Sequence, residues 1–179
     1  DSKEQRHTDL EKKKNESIKI FIGQLLEESS EFKALQELID QCNKKGIRVY
    51  IATGNNRLLV NQNAAYGDEN LLLRLKGIIG VGSTNTNGTP ADVTDDTVSP
   101  FSSKFYPIES QKKQAIFVTA PGEYILTGLE QKPVENGTSL ATPAVASISL
   151  LIEQILRKGK PELAKDQKKL SETVNQIIV

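Results

Sequence analysis

With 179 residues, the chain is long enough for one compact domain, and a domain near this size buries roughly 70% of its unfolded surface. Lysine plus arginine number 23 and aspartate plus glutamate also number 23, so no global field recruits nucleic acid or an anionic membrane. Cys42 is the only cysteine, which excludes an intrachain disulfide and a cysteine-based metal site.

Residues 1–17 carry Glu11-Lys12-Lys13-Lys14 and almost no apolar side chain. They are expected to form a charged, poorly ordered arm, leaving residues 18–179 as the folded part. No basic start followed by an apolar stretch is visible, so no secretory signal is assigned and the compartment stays open. Ile18 to Ile22 is apolar enough for a short buried strand ending at Gly23. A helix is expected next, because Phe32, Leu35, Leu38, Ile39 and Cys42 recur at helical spacing. Ser29 or Ser30 can cap its start, and Lys44-Lys45-Gly46 suits its end. Cys42 on that stripe reads as a buried structural thiol.

Ile47 to Ala52 is β-branched and apolar and runs into the turn signature Thr53-Gly54-Asn55-Asn56. Gly77 to Ser83 and Ala115 to Ala120 read as two further strands. Between them, residues 85–103 are rich in Asn, Thr, Gly, Pro and Asp and read as surface turns. Asp92, Asp95 and Asp96 offer oxygen ligands for calcium, but their spacing fits no calcium loop, so no metal or other cofactor is assigned. Strands alternating with helices imply an α/β fold with a mostly parallel sheet.

Gly137 to Leu156 leaves little polar face before Glu153, which predicts a helix buried in the core. The apolar run Ser139 to Ile152 is too short to span a bilayer, for which about 20 residues are needed. Leu163, Leu170, Val174, Ile177 and Ile178 suggest a last amphipathic helix.

Asn136-Gly137-Thr138-Ser139-Leu140-Ala141-Thr142-Pro143 sets a serine at the mouth of that helix, after a glycine that permits a tight turn. Backbone N–H groups at a helix N-terminus lack intrahelical partners and point at negative charge forming beside Ser139. A serine there is by itself most simply a helix cap. The whole octet, however, resembles the nucleophile motif Gly-Thr-Ser-x-Ala-x-Pro of the subtilisin-like serine proteases, matched at Gly137, Thr138, Ser139, Ala141 and Pro143. Ala144 replaces the histidine the family commonly has one residue past the proline. Ala52-Thr53-Gly54-Asn55 is similar to the family's Ala-Gly-Asn segment, whose asparagine donates to the tetrahedral oxyanion. Ile79-Gly80-Val81-Gly82-Ser83, Phe101-Ser102-Ser103 and Ala120-Pro121-Gly122 follow in family order.

The resemblance implies a three-layer subtilisin-like fold, with a buried helix carrying the nucleophile, and identifies residues 18–179 as the C-terminal part of the catalytic domain. It implies a serine endopeptidase in which Ser139 is the nucleophile of an acyl-enzyme and Asn55 completes the oxyanion hole. It places Phe21, Ile22 and Gly23 on one side of the substrate, Ala52, Thr53 and Gly54 on the other, and Thr138 beside the nucleophile. Phe21 departs from the family's usual small residue. The partner implied is a peptide or protein bound as an added strand. The compartment is not assigned, and the resemblance alone favours a secreted or periplasmic setting.

A serine hydroxyl needs a base, which in this family is a histidine held by an aspartate, both upstream of the serine. His7 is the only histidine, and Gln-Arg-His-Thr-Asp is not the family's histidine motif. Asp1-Ser2-Lys3 lies too close to His7 to take the aspartate's place. The Asp and His are therefore expected from an upstream segment or a second chain. The alternative is an inactive subtilase-fold module that binds peptides without cleaving them. A nucleotide-binding α/β domain fits the alternation of elements, but Gly80-x-Gly82 lacks the third glycine of a phosphate loop. Asn15-Glu16-Ser17 and Asn136-Gly137-Thr138 match the glycan acceptor pattern, the second by coincidence with the serine turn.

Overall fold

The computed structural model describes residues 28–57, 59–61, 71–89, 91–106, 116–130 and 132–179, with Lys13 and Leu25. Most of the expected arm over 1–17, and the strand expected at Ile18 to Ile22, lie outside the described residues. The first described helix, α1 (Ser30–Lys44), begins as the caps predict: the Ser29 side chain accepts from Phe32 N at 3.2 Å. It ends at Gly46, whose φ is +71°. Ile39 on its inner stripe is 4% exposed, whereas Leu38, expected there too, is 55% exposed at the stripe's edge.

The described strands, in chain order, are β1 (Tyr50–Ala52), β2 (Leu59–Asn61), β3 (Ile79–Asn85), β4 (Thr97–Val98), β5 (Lys104–Tyr106), β6 (Ile116–Pro121), β7 (Ile125–Leu129) and β8 (Lys132–Glu135). β3 lies between β1 and β6 and is parallel to both, with Gly80 opposite Ile51 on one side and Phe117 on the other. β4 pairs antiparallel with the end of β3. Two small sheets complete the set: β2 with β5, parallel, and the β7–β8 hairpin.

The sheet is covered on both faces, and the strand period of two decides which residue goes where. Val49, Ile51 and Phe117 pack with Ile39 of α1, along with Leu73, Leu75 and Ile78. Tyr50, Ile116, Val118, Ile79 and Val81 pack on the opposite face against Ala141 and Val145 of α2 (Thr138–Gly159). After the short α3 (Pro161–Ala164), α4 (Gln167–Ile178) closes this second layer with Leu170 and Val174, both fully buried. The three layers are thus α1, the sheet, and α2 with α4, and the expected α/β architecture is present.

One expectation is corrected. α2 is not buried all round: Thr138, Ala141, Val145 and Ser149 face the sheet, but Ile148 is 52% exposed, Leu151 59% and Ile155 69%. At 100° per residue these three form a stripe on one flank of the buried face. The described residues cover one side of a helix whose composition calls for cover on more than one. α2 is also longer than the apolar run suggested. Its 22 residues would extend about 33 Å, and by length and composition alone it meets the criterion for a membrane span. Its packing on β1, β3 and β6 and the ion pair of Glu153 with Arg48 make it a layer of the domain.

That ion pair ties α2 to the approach to β1. Arg48 Nη2 donates to Glu153 Oε2 at 2.5 Å, and their side chains are 7% and 14% exposed. Arg157 donates through Nε and Nη2 to the other oxygen, Oε1. Burial pushes the Glu153 carboxyl up, but hydrogen bonds from Arg48 and Arg157 outweigh it and hold the group below its usual value.

Candidate active site

The parallel strands β1, β3 and β6 end on one side, and the turns that follow them meet the start of α2. The link begins at Thr138, the first residue of that helix. Its N–H is one of the donors a helix leaves unpaired, and it donates to Asn55 Oδ1 at 3.0 Å. The Thr138 hydroxyl donates to the same oxygen at 3.0 Å and accepts from Gly54 N at 3.2 Å. These bonds use the oxygen of the Asn55 carboxamide, leaving its NH2 for the open side. Gly54, at φ +101°, supplies the left-handed turn that brings Asn55 round from β1.

Gly137 lies beside both that NH2 and Ser139. A Cβ built on Gly137 would lie 3.1 Å from Ser139 Oγ, 3.3 Å from Asn55 Nδ2 and 3.8 Å from Ser139 N. One hydroxyl and two N–H donors therefore border the same small space, kept open because residue 137 has no side chain. Thr138 below it is 1% exposed, while Ser139 and Asn55 are exposed. Pro143 lacks the N–H that would pair with the Ser139 carbonyl one turn earlier, so the first turn carries one fewer helical bond.

Gly137 is held from β6. Its N–H donates to Gly122 O at 2.8 Å, and Gly122 N donates to Thr84 O at the end of β3. Gly122 must be small: a Cβ there would lie 2.5 Å from Ser83 Oγ and 2.7 Å from Gly137 O.

The structure thus brings together Asn55, Thr138, Ser139 and Gly54. Ala52 is half-buried at the end of β1. Thr53 is 1% exposed with its hydroxyl donating inward to Ser103 O at 2.9 Å, so its side chain supports the turn from within. Phe21, Ile22 and Gly23 lie outside the described residues, as do His7 and Asp1. In the acidic turn to which no metal is assigned, Asp92 Oδ1 accepts from Thr94 N and Oγ1, and these bonds lower its pKa. Asp95 Oδ2 accepts from Thr89 Oγ1.

Sequence reasoning missed the buried hydroxyls of Ser83, Ser99, Ser102 and Ser103 and the contact between Ser83 and Gly122. The available signal was polar: Ser83 ends an otherwise apolar and glycine strand.

Chemically, a hydroxyl with two N–H groups beside it is the set of groups that attack on an electrophilic carbonyl, with stabilisation of the oxygen that becomes negative, requires. Comparisons with known proteins bear on the family and the fold. The model of the subtilase family matches residues 19–176. No curated protein matches the chain. Among solved structures, a lanthipeptide protease matches with a TM-score of 0.54 at 23% identity, over 81% of this chain and 46% of that one. The patellamide maturation protease PatA matches with a TM-score of 0.52 at 23% identity, over 80% of this chain and 43% of that one. The PatG macrocyclase solved with a peptide matches at 28% identity and a TM-score of 0.49, over 75% and 35%. The chain therefore spans less than half the length of each of these proteins. The family match over nearly all of the chain, joined to a fold of the same type, settles its kinship: this chain belongs to the subtilase family of proteases.

Proposed function

We propose that the chain is the nucleophile-bearing part of a subtilisin-type serine endopeptidase, with Ser139 forming the acyl-enzyme and Asn55 Nδ2 and Ser139 N binding the oxyanion. The observation that carries this reading is the single space bordered by Ser139 Oγ, Asn55 Nδ2 and Ser139 N. The Ser139 oxygen bonds to the scissile carbonyl carbon, its proton passes to a base, and the carbonyl oxygen takes the negative charge. The substrate is a peptide or protein laid alongside as an extended strand, bound through its main chain, with Phe21 to Gly23 and Ala52 to Gly54 as its walls.

The base and the aspartate that orients it come from an upstream segment or a second chain. Two observations support this. The chain spans 43–46% of the PatA and lanthipeptide proteases whose fold it shares. The stripe Ile148, Leu151 and Ile155 on α2, 52–69% exposed, is an apolar surface that such a segment would bury.

Because the base is external, a small diffusible one should stand in for it. Treating the chain with a fluorophosphonate in the presence of imidazole is expected to give one adduct, located on Ser139 by peptide mapping. Phosphorus bonds to Ser139 Oγ, fluoride leaves, and imidazole takes the proton. The expected acceleration over imidazole-free buffer is about tenfold, part of the roughly 10²–10⁴ that a positioned base supplies. Ser139→Ala should give no adduct, and His7→Ala should behave as the unmodified chain. Failure of Ser139 to react at any imidazole concentration would favour the inactive peptide-binding module. Imidazole-independent labelling lost in His7→Ala would place the base within this chain.

A further inference from the structure

Behind Ser139 and Asn55 lies a group of hydroxyls that no chemical step uses. Thr53, Ser83, Ser99, Ser102 and Ser103 are each at most 2% exposed. A buried hydroxyl is costly unless bonded, and the bonds here join β3, the 99–103 loop and the turn that bears Asn55. Ser83 Oγ and Ser99 Oγ are 2.7 Å apart, and Ser99 N donates to Ser83 O. Ser102 Oγ accepts from Ser83 N at 3.0 Å and donates to the Ser103 carbonyl at 3.2 Å. That carbonyl also accepts from Thr53 Oγ1, and Ser103 N donates to Gly54 O at 2.9 Å. Residue 103 thereby grips both residues that precede Asn55.

We infer that Ser102 is a positioning residue for the oxyanion donor: its hydroxyl fixes residue 103 between β3 and the Thr53-Gly54 turn, and so fixes where the Asn55 carboxamide stands relative to Ser139. The inference rests on reading Asn55 as that donor. Apolar packing would fill the same volume but would leave the loop free to slide by fractions of an ångström. Hydrogen bonds set a distance, and a donor to an oxyanion works only within a narrow one. Ser102 is the member that touches both sides, one bond to the strand and one to the loop. Thr138 then holds the carboxamide from the other end.

The test compares Ser102→Ala, Ser102→Cys and Val174→Ala in this chain. Val174 is fully buried in α4 and serves as a packing control. Two readouts are taken: the rate of imidazole-supported phosphonylation of Ser139, and the heteronuclear NOE of the Asn55 side-chain amide, assigned by its disappearance in Asn55→Asp. Ser102→Ala is expected to slow phosphonylation about tenfold, less than the roughly 10²-fold that a full ångström of misplacement costs, and to lower the amide NOE. Ser102→Cys, which keeps the size and a weak donor, should recover part of both, and it serves alone if the alanine variant does not fold. Val174→Ala should lower the melting temperature without changing the amide. An Asn55 amide as rigid in the Ser102 variants as in the unmodified chain would overturn the inference. So would an amide loosened equally by Val174→Ala. If Ser139 is never phosphonylated, the reading of Ser139 fails, while the amide measurement still decides whether Ser102 positions Asn55.

Discussion

Removing the Glu153 carboxylate is expected to destabilise the domain by about 1–3 kcal/mol, the cost of leaving a part-buried charged donor without its acceptor. Arg48 is the reason. Its side chain is 7% exposed, and Nη1 is buried with no hydrogen-bond partner among the described residues. Loss of the Glu153 acceptor would strand most of the guanidinium charge, with Tyr50 Oη as the acceptor left to Nε. Arg157 is 40% exposed, so Arg157→Ala should cost no more than about 1 kcal/mol even though it donates two bonds to the same carboxylate. Replacing both members, as in Arg48→Met with Glu153→Leu, should recover much of the loss, because neither charge then remains buried. Urea denaturation of the four proteins checks this, and equal midpoints for Glu153→Ala and Arg157→Ala would contradict it.

The same pair gives the domain an acid limb. The folded-state pKa of Glu153 lies below the ordinary value of 4.5, so the pair's contribution is complete above that value and is lost as pH falls through the folded one. The stability difference between the unmodified chain and Glu153→Gln should therefore shrink below about pH 4.5 and hold constant above pH 6. A difference that grows on acidification would contradict the assignment.

Gly122→Ala is the second large effect. In an open turn the change would be mildly stabilising, by about 0.4–1 kcal/mol, because it restricts the unfolded chain. Here the new methyl would meet Ser83 Oγ at 2.5 Å and Gly137 O at 2.7 Å. The second contact is backbone and cannot rotate away. Overpacking of this kind costs about 1–3 kcal/mol, which exceeds the gain. For a chain of this length each kcal/mol moves the melting temperature by about 2–4 °C, so a fall of several degrees is expected. Relief of the clash pushes Gly137 away from β6, and Ser139 moves with it. Imidazole-supported phosphonylation should therefore fall more than the stability loss alone explains at 25 °C, where the variant is still folded. A variant as stable and as reactive as the parent would show that the contact is not rigid.

Local signals made part of this molecule legible. Ser29 and Gly46 bracket α1 because capping chemistry acts within one turn. The β-branched runs fell on β1, β3 and β6 for the same local reason. What the sequence concealed depends on partners far away in the chain. Ser83, Ser99 and Ser102 look like surface residues until β3 and the 99–103 loop come together, and Thr53 meets Ser103 across 50 positions. The β7–β8 hairpin was missed because residues 129–132 carry no Asn-Gly or Asp-Gly turn. Gly128, at φ +72°, lies within a register shift that gives no sequence pattern. The apolar face of α2 was read correctly as composition and wrongly as burial, since periodicity reports what a helix can bury and says nothing of which elements cover it.

Of the candidate site, the motif around Ser139 and the turn at Asn55 were both legible, and the fold brings them together. Their joint role is the central claim, and it rests on one donor. The measurement that tests it most directly is the imidazole-supported phosphonylation rate of Asn55→Asp beside that of the unmodified chain. Aspartate keeps an oxygen for Thr138 and removes the Nδ2 donor. Deleting this donor in subtilisin is established to cost roughly 10²–10³ in kcat, and a loss of at least about 10² is predicted here. An unchanged rate, with the variant folded, would mean that Asn55 only closes a turn and that Ser139 does not work through an oxyanion hole built with it.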